Sequence, residues 1–159
     1  MILETAGGND RTFIFNVLQK YLYELSAFYR DELDANGNIA YPWFDTYFDP
    51  EEHPERRAIL IREGTSTVGF ILINAYSDLD EDIDHAVAEF TIFPAFRGRG
   101  LGKQAAALLF QDNPGMWELT FNNTNETAAS FWTSVTRPYR PDPTPINARE
   151  TILSFEVPA

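Results

Sequence analysis

The sequence predicts an α/β fold in which helices flank a sheet of mixed strand direction. Three observations predict it: an amphipathic helix occupies Arg11–Tyr29, a hairpin pattern follows at residues 57–75, and two strand-then-helix pairs follow between residues 85 and 135. The alternating segment Thr151–Val157 adds a last strand. This order of elements is that of an α/β sheet. No repeat or linker divides the chain, so we expect one domain over residues 1–159.

Composition excludes several classes of function. The 159 residues carry 12 Lys+Arg against 24 Asp+Glu, a net charge of −12, and 44% are hydrophobic. This apolar content is too high for a disordered chain, and the negative charge would repel nucleic acid and anionic membranes. The absence of cysteine excludes disulfides, thiolate metal sites and a cysteine nucleophile. No leader-like segment follows Met1 and no apolar run approaches the roughly 20 residues that span a bilayer, so we expect a soluble, cytoplasmic protein.

The first helix is predicted because apolar residues recur at helical spacing, at Phe13, Val17, Tyr21, Leu25 and Phe28. Asp10 stands where an N-cap would. A turn at Asn36-Gly37 separates it from an aromatic cluster. The cluster consists of Tyr41, Trp43, Phe44, Tyr47 and Phe48. Aromatic residues dominate core energetics, so a short helix packed on the core is one interpretation of the cluster. The wall of a pocket is the other.

The hairpin is predicted from two strand-like runs, Arg57–Arg62 and Val68–Ala75, joined by a polar turn that contains Gly64. The next segment, Ser77–Asp84, is strongly acidic. It lacks the glycine and the terminal glutamate of a calcium-binding EF-hand loop, which favours a solvated loop.

The second half of the chain alternates strands and helices. Strands are predicted at His85–Phe93 and Met116–Phe121, and helices at Gly100–Gln111 and Glu126–Val135. The proline-rich stretch Pro138–Pro145 is predicted to be a loop before the last strand.

The most informative residues form a turn between a strand and a helix. Arg97, Arg99 and Lys103 are three of the twelve cations of this acidic chain, and three glycines alternate with them. Glycines let backbone N–H groups approach a ligand closely, and a helix N-terminus adds unpaired donors and a positive dipole. Arginine and lysine add charge directed at phosphate. The turn therefore predicts a pyrophosphate site.

Three phosphate-binding templates can be compared with this turn. A P-loop needs Ser or Thr after its lysine, but Gln104 follows Lys103, so the magnesium hydroxyl is missing and we expect no metal. A dinucleotide-binding fingerprint needs another glycine spacing at the first strand of a βαβ unit. The remaining template is Gln or Arg, two residues, Gly, one residue, then Gly or Ala, and Arg97, Gly100 and Gly102 match it. That pattern is the signature of the GNAT superfamily of N-acyltransferases, which this sequence resembles.

The resemblance covers the order of elements from Arg57 to Phe131. The segment Ala88–Pro94 is similar to the family's fourth strand, Gly102–Phe110 to its third helix, and Asn125–Trp132 to its Asn-x-x-Ala segment. The first 50 residues are less typical, and the chain resembles a subgroup of acetyltransferases without well-defined substrates. The resemblance implies a GNAT-like mixed, mostly antiparallel sheet with splayed central strands.

The resemblance also implies acetyl-CoA as the donor. Pantetheine would lie between the splayed strands against the backbone of Thr91, Ile92 and Phe93, and Arg97 would lend charge to the pyrophosphate. Pyrophosphate oxygens would accept hydrogen bonds from the backbone N–H groups of Gly98, Arg99, Gly100, Leu101, Gly102 and Lys103. Asn125 occupies a position that contacts the cofactor in the family, and a helix N-cap is the alternative for it.

Acyl transfer to an amine needs a base for the ammonium group. The family often supplies a glutamate on its fourth strand; Glu89 is the first candidate here and His85 the second. Strand alternation predicts that His85, Val87, Glu89 and Thr91 share one face. The alternatives are a structural carboxylate inside the sheet for Glu89 and a surface histidine for His85.

The leaving thiolate needs a proton donor. Trp132 replaces the family's tyrosine at the end of the Asn-x-x-Ala segment, and its indole has no useful acidity. Another tyrosine, such as Tyr139, or water would have to substitute for it.

Two functions follow as hypotheses. The first is an acetyl-CoA-dependent N-acetyltransferase that acts on an amine of a small-molecule or peptidyl acceptor, and the negative surface suits a cationic acceptor. The second is a non-catalytic module that binds or senses acyl-CoA, which the missing tyrosine favours. Neither nucleic acid nor a membrane is expected as a partner, and a homodimer is an open alternative.

Overall fold

The computed structural model describes residues 1–159 and contains one seven-stranded sheet with three α-helices. The strands are β1 (Ile2–Thr5), β2 (Arg57–Glu63), β3 (Ser66–Asn74), β4 (His85–Ile92), β5 (Gly115–Asn122), β6 (Asp142–Pro145) and β7 (Glu150–Val157). The helices are α1 (Arg11–Tyr29), α2 (Leu101–Asp112) and α3 (Glu126–Thr136). The strand order is β1-β2-β3-β4-β5-β7-β6, and only the β4–β5 pair is parallel. The predicted α/β class with a mostly antiparallel sheet is confirmed.

The two faces of the sheet bury separate apolar clusters. On one face, Ile71 and Ile73 of β3 pack with α2 and α3 in a cluster of 16 buried residues. On the other, Phe70 and Leu72 pack with α1 in a cluster of 11. Successive strand residues point to opposite faces, so a strand that is buried on both faces has a continuous run of apolar residues in its sequence. Strand β3 has such a run.

Helix α1 begins and ends where its apolar spacing predicts. Asp10 occupies the N-cap position as predicted, but its carboxylate accepts a hydrogen bond from the Gly7 N–H at 3.0 Å and makes no capping bond to the helix. At the other end the Arg30 N–H donates to the Ser26 carbonyl at 2.8 Å with Arg30 in the left-handed region, which ends the helix.

A bulge interrupts β4. Val87 and Glu89 pair with adjacent residues of β3, so Ala88 is an extra residue on the β4 side. A bulge of this kind shifts the alternation of the side chains by one position. Val87 packs with the α2/α3 cluster, whereas Ala88 packs with the α1 cluster.

The bulge overturns the prediction that four side chains of β4 share one face. Glu89 lies opposite Leu72, on the α1 side of the sheet. The His85 ring packs 4.7 Å from the ring of Trp117, which belongs to the α2/α3 side. The two candidate bases therefore lie on opposite faces, because regular alternation breaks between residues 87 and 89.

The central strands part after a short parallel ladder. Residues 85–87 of β4 pair with residues 117–119 of β5, and no pairing follows, although β4 continues to Ile92 and β5 to Asn122. The gap opens toward the C-terminal ends of both strands, which are the ends that lead into α2 and α3. The splay implied by the resemblance is confirmed.

Two edge strands were not predicted. β1 pairs with β2 and is only four residues long, too short for a clear alternation pattern. β6 lies within the stretch predicted to be a proline loop, and that prediction is wrong: Pro143 and Pro145 pair with β7 alone. Proline is tolerated in an edge strand because one side of the strand needs no ladder donors.

The aromatic cluster forms a 3-10 helix, Phe44–Phe48, on the α1 side of the sheet. Phe44 and Tyr47 are buried, whereas Trp43 is 61% exposed. None of the five aromatic residues lines the cavity that opens where β4 and β5 part. The interpretation as a short helix packed on the core is therefore confirmed.

The acidic segment before β4 is irregular, as predicted. The buried Glu118 carboxylate holds it by accepting hydrogen bonds from Ser77 Oγ at 2.5 Å and from the Asp78 N–H at 3.1 Å. No three His, Asp or Glu side chains converge in an arrangement that could hold a metal ion. None of the helices has both the length and the apolar character needed to cross a bilayer.

Candidate active site

A cavity of about 600 Å³ opens where β4 and β5 part. Its walls come from α1, the ends of β4 and β5, the turn after β4, and the N-terminal ends of α2 and α3. The predicted site residues that line it are Thr91, Ile92, Arg97, Gly98, Gly100, Leu101, Gly102, Lys103 and Asn125. The predicted residues that do not line it are His85, Glu89, Phe93 and Arg99.

The turn after β4 presents a row of backbone donors. The N–H groups of residues 98–103 donate to no protein acceptor, and the next one, of Gln104, donates to the Gly100 carbonyl at 3.2 Å. Gly98 (φ 80°) and Gly100 (φ 76°) take left-handed conformations that only glycine adopts at low cost. Nothing lies within 4 Å of the place where a Cβ would stand at either glycine. Free backbone donors at a helix N-terminus are the kind of group that can bind a phosphate.

Gly102 serves a different purpose from the other two glycines of the turn. A Cβ at Gly102 would lie 3.2 Å from Phe131 of α3 and 3.6 Å from Ile92 of β4. Glycine at this position therefore lets the first turn of α2 approach α3 and β4 closely. As a result the N-terminal ends of both helices reach the same cavity.

Arg97 is already paired. Its Nε donates to the Ile92 carbonyl at 2.7 Å, and its two terminal nitrogens donate to the Glu24 carboxylate of α1 at 3.1 and 3.0 Å. Arg97 therefore fastens the turn to α1, and Glu24 neutralises the charge that was predicted to act on phosphate. Arg99 and Lys103 are exposed and form no ion pair, so they are the free cations of the turn.

The three β4 residues predicted to face pantetheine differ in position. Thr91 and Ile92 line the cavity. The structure does not bring Phe93 there: its N–H donates to the Val68 carbonyl at 2.7 Å, and its ring packs edge-on against Phe13 of α1 at 6.1 Å. Because β4 has no β5 partner beyond residue 87, its edge near Thr91 is open to a ligand.

Asn125 is both an N-cap and a lining residue. Its Oδ1 accepts a hydrogen bond from the Ala128 N–H at 3.2 Å at the start of α3. Its side chain also borders the cavity, and its Nδ2 donates to no protein atom. The cap fixes the side chain and leaves the amide donors available to a ligand.

Glu89 faces α1 from the middle of the sheet. Its Oε2 is enclosed and accepts no hydrogen bond, which argues against a carboxylate held for structure alone. Burial raises the pKa of Glu89 to about 8, and interaction with the Tyr21 hydroxyl opposes this rise. A carboxyl group that ionises near neutral pH is suited to general base catalysis.

His85 does not reach the cavity. Its ring is half-buried against Trp117 on the opposite face of the sheet. Burial lowers its pKa below the ordinary histidine value. The structure therefore separates the two candidate bases and leaves only Glu89 on the side of the sheet where α1 closes the cavity.

The tyrosines that line the cavity belong to α1, and one of them, Tyr21, is part of the predicted apolar stripe of that helix. Trp132 is buried and lines the cavity. Tyr139, the predicted substitute, stacks on Phe155 at 5.7 Å and lies elsewhere. Tyr21 and Tyr29 line the cavity instead. A polar tip on the apolar stripe of α1 was the feature that could have singled them out.

Comparisons with known proteins agree with this architecture. Residues 19–135 match the acetyltransferase (GNAT) family. No curated protein sequence matches the chain significantly.

Several solved structures have a similar fold. An acetyltransferase from Thermus thermophilus has a TM-score of 0.70 at 19% identity, over 98% of this chain and 96% of that one. The yncA protein of Salmonella typhimurium, solved with its cofactor acetyl-CoA, has a TM-score of 0.67 at 12% identity, over 98% and 93%. A chimera of the spermidine N-acetyltransferase SpeG from Vibrio cholerae and hSSAT has a TM-score of 0.62 at 14% identity, over 99% and 96%. At these identities the likeness shows the fold.

Proposed function

The chain belongs to the acetyltransferase (GNAT) family and is an N-acetyltransferase; we propose that it transfers an acetyl group from acetyl-CoA directly to an amine of a small-molecule or peptidyl acceptor, and that this acceptor is cationic. The observation that carries the proposal is the cavity between the parted strands, which opens at the row of free N–H donors. Because the sheet includes strands from Ile2 to Val157, we treat residues 1–159 as one catalytic domain.

The residues present fit acetyl-CoA. Phosphate groups need donors and positive charge, and the N–H groups of residues 98–103 with Arg99 and Lys103 supply both. A pantetheine arm needs an apolar slot with an open strand edge, and the gap beside Thr91 and Ile92 offers one. Asn125 would add its free amide donors. Acetyl-CoA would bring an acyl group that is already activated. The protein would therefore have to bind the two substrates, orient them and transfer protons.

Glu89 is proposed as the proton acceptor. An acceptor amine enters mostly as an ammonium ion, which must lose a proton before its nitrogen can attack. With its pKa raised to about 8 by burial, Glu89 is part ionised near neutral pH and holds a proton firmly enough to take one from a bound ammonium. His85 is not included, because it lies on the other face of the sheet.

A cationic acceptor is supported by charge. The chain carries a net charge of −12, while the free cations Arg99 and Lys103 stand on the turn that would hold the donor. The negative field around the protein therefore attracts a cationic acceptor. The cationic turn would instead bind the anionic donor. Since the fold is shared with a spermidine N-acetyltransferase, polyamines are the first acceptors to try.

Calorimetry and an acceptor screen test the proposal. Acetyl-CoA and CoA should bind to the protein, whereas ATP should bind much more weakly because it lacks the pantetheine arm. Mass spectrometry of a panel of polyamines, basic peptides and neutral amines should then find a product heavier by one acetyl group. Binding of ATP without binding of CoA would contradict the proposal that acetyl-CoA is the donor. Acetylation of neutral amines in preference to cationic ones would overturn the acceptor class.

A further inference from the structure

The proposed reaction needs a proton donor for the leaving thiolate, and the usual position offers none. Trp132 has only an indole N–H, which does not ionise at working pH. Tyr139 packs between Phe110 and Phe155 in the α2/α3 cluster. The donor must therefore be sought among groups that reach the cavity from another element.

Tyr21 of α1 lines the cavity and packs on the same side of the sheet as Glu89, which does not line it. The Tyr21 ring packs edge-on against Phe70 of β3 at 5.8 Å, which fixes the aromatic ring on the sheet. Phe70 pairs with Thr91 and Leu72 pairs with Glu89, so the ring of Tyr21 lies over the part of this face that carries Glu89. The Tyr21 hydroxyl lowers the pKa of Glu89 against the effect of burial. Tyr21 is therefore a cavity-lining hydroxyl on the same face of the sheet as Glu89.

Glu89 also raises the pKa values of three other tyrosines. Tyr29 comes from α1, Tyr41 from the segment after it and Tyr47 from the 3-10 helix. Tyr47 accepts a hydrogen bond from Asn74 Nδ2 at 3.0 Å and lies under the Arg56 guanidinium, 5.7 Å from the ring centroid. No cation lies among the groups that act on Glu89 itself. The Tyr21 hydroxyl is therefore the one group that lowers the pKa of Glu89 against the effect of burial.

On the basis of the proposed function, we propose that Tyr21 is a catalytic residue that exchanges protons with both substrates, with Glu89 behind it as the positioning residue that stores the proton. This arrangement replaces the missing tyrosine of α3 by a tyrosine of α1. It also gives Glu89 a connection to the cavity that its own oxygens lack.

The protons balance over one turnover. Tyr21 takes a proton from the acceptor ammonium as its own proton passes to Glu89. The amine nitrogen then forms the C–N bond with the acetyl carbon, and the C–S bond breaks with its electron pair remaining on sulfur. Tyr21 gives its proton to that sulfur and regains one from Glu89. The protonated amide loses its extra proton to water, so the products are the acetylated amine, the CoA thiol and one proton.

The acidities of the two residues agree with a relay. Burial and the nearby Glu89 raise the pKa of Tyr21 well above 10, so a free tyrosinate would be costly, and Tyr21 must gain a proton as it gives one away. Glu89, with a pKa of about 8, is close in acidity to an alkyl thiol of about 8.5. Transfer from Glu89 through Tyr21 to sulfur is therefore nearly balanced in free energy.

The pairing can be measured without turnover. Glutamate labelled with ¹³C at the carboxyl carbon gives an NMR titration of Glu89 in the protein without ligands, and the resonance is assigned by its loss in Glu89→Gln. We expect a Tyr21→Phe variant to titrate at a higher pH than the wild type, because it removes the interaction that lowers the pKa of Glu89. Tyr23→Phe, at an exposed position of the same helix, should not move the titration. An unchanged titration in Tyr21→Phe would overturn the pairing.

Kinetics test the catalytic role. Tyr21→Phe should lower kcat by about 10²-fold or more while calorimetry finds the same affinity for CoA. The double variant Tyr21→Phe/Glu89→Gln should be hardly slower than the slower single variant, since the two residues act as one unit. Wild-type kcat in Tyr21→Phe, or losses that multiply in the double variant, would contradict the relay.

The failure of the proposed function would look different. A wild-type protein that binds no CoA, or that acetylates no amine, would refute the donor or the reaction while the NMR titration still reports whether Tyr21 and Glu89 interact. A Tyr21→Phe variant that loses CoA affinity and kcat together would instead assign Tyr21 a packing role and overturn the relay.

Discussion

At the scale of single residues, an enclosed carboxyl group is the most consequential feature of this protein. Glu89 lies in the sheet with an oxygen that accepts no hydrogen bond, so its charged form is penalised and its pKa rises to about 8. Such a residue costs stability when it ionises and gains reactivity for the same reason. Both effects can be tested with one substitution.

Glu89→Gln should stabilise the protein above neutral pH. The unfolded chain loses the Glu89 proton near pH 4.5, whereas the folded protein keeps it up to about pH 8, so wild-type stability falls between these values. Glutamine does not ionise, so the stability of the variant does not fall with pH for this reason. Its advantage in unfolding free energy, measured by denaturant titration, should grow from pH 5 to pH 8 and reach on the order of a few kcal/mol. A difference that is independent of pH would contradict the raised pKa.

Two glycines in the same conformation make it possible to distinguish the effect of backbone strain on stability from an effect on CoA binding. Gly100 (φ 76°) lies in the donor turn, and Gly37 (φ 77°) lies in a distant turn; neither has an atom within 4 Å of a Cβ. Alanine at either position should cost about 1–2 kcal/mol of unfolding free energy. Only Gly100→Ala should also weaken the binding of CoA, measured by calorimetry. Equal CoA affinities of the two variants would remove this turn from the donor site.

At the scale of elements, the turn between β4 and α2 divides its cations between two tasks. Arg97 fastens the turn to Glu24 of α1 and to the end of β4, and Arg99 and Lys103 remain free. The bulge in β4 also separates neighbouring side chains. Val87 packs on the α2/α3 side of the sheet, whereas Glu89 lies on the α1 side. Both interruptions of regular structure decide where candidate site residues lie.

The division of the cations predicts different phenotypes. Arg99→Glu should weaken CoA binding roughly tenfold, about 1.4 kcal/mol, because it reverses a charge on the proposed phosphate-binding turn. Glu24→Gln should not weaken CoA binding, because it removes a negative charge near the turn, and it should cost at most about 1 kcal/mol of stability because the ion pair is half-exposed. Arg137→Glu, an exposed site after α3, is the charge-matched control. An equal loss of CoA affinity in that control would refute a local role for Arg99.

At the scale of the whole molecule, a net charge of −12 surrounds a small positive turn. Long-range fields act on the approach of a substrate, whereas contacts within the cavity act after it has arrived. Under the proposed function, the charge of the whole surface acts on the acceptor and the local cations act on the donor.

Salt should distinguish the two substrates. The kcat/KM for a cationic acceptor should fall as ionic strength rises from about 0.02 to about 0.5 M, since the Debye length shrinks from roughly 20 Å to less than about 10 Å. For a neutral amine of the same size, kcat/KM should stay nearly constant. Steady-state kinetics at saturating acetyl-CoA measure both. The same salt dependence for the neutral amine would show that surface charge does not guide the acceptor.

The sequence by itself determined the elements with strong periodicity and the turn with a fixed spacing of glycine. Helix α1, the β2–β3 hairpin and the residues 97–103 are local patterns, because side-chain period and φ preference act over a few neighbours. Edge strands were harder: β6 contains two prolines and exists only because β7 lies beside it.

Only the tertiary structure decided which residues meet at the centre. Because Ala88 is an extra residue, Glu89 lies on the face of the sheet opposite to His85. No sequence pattern in the strand predicts this bulge. Tyr21 looked like a core residue of α1, and Arg97 like a free cation, until α1 was docked on the sheet. These contacts join positions about 70 residues apart, so they depend on packing between elements, which local sequence does not encode.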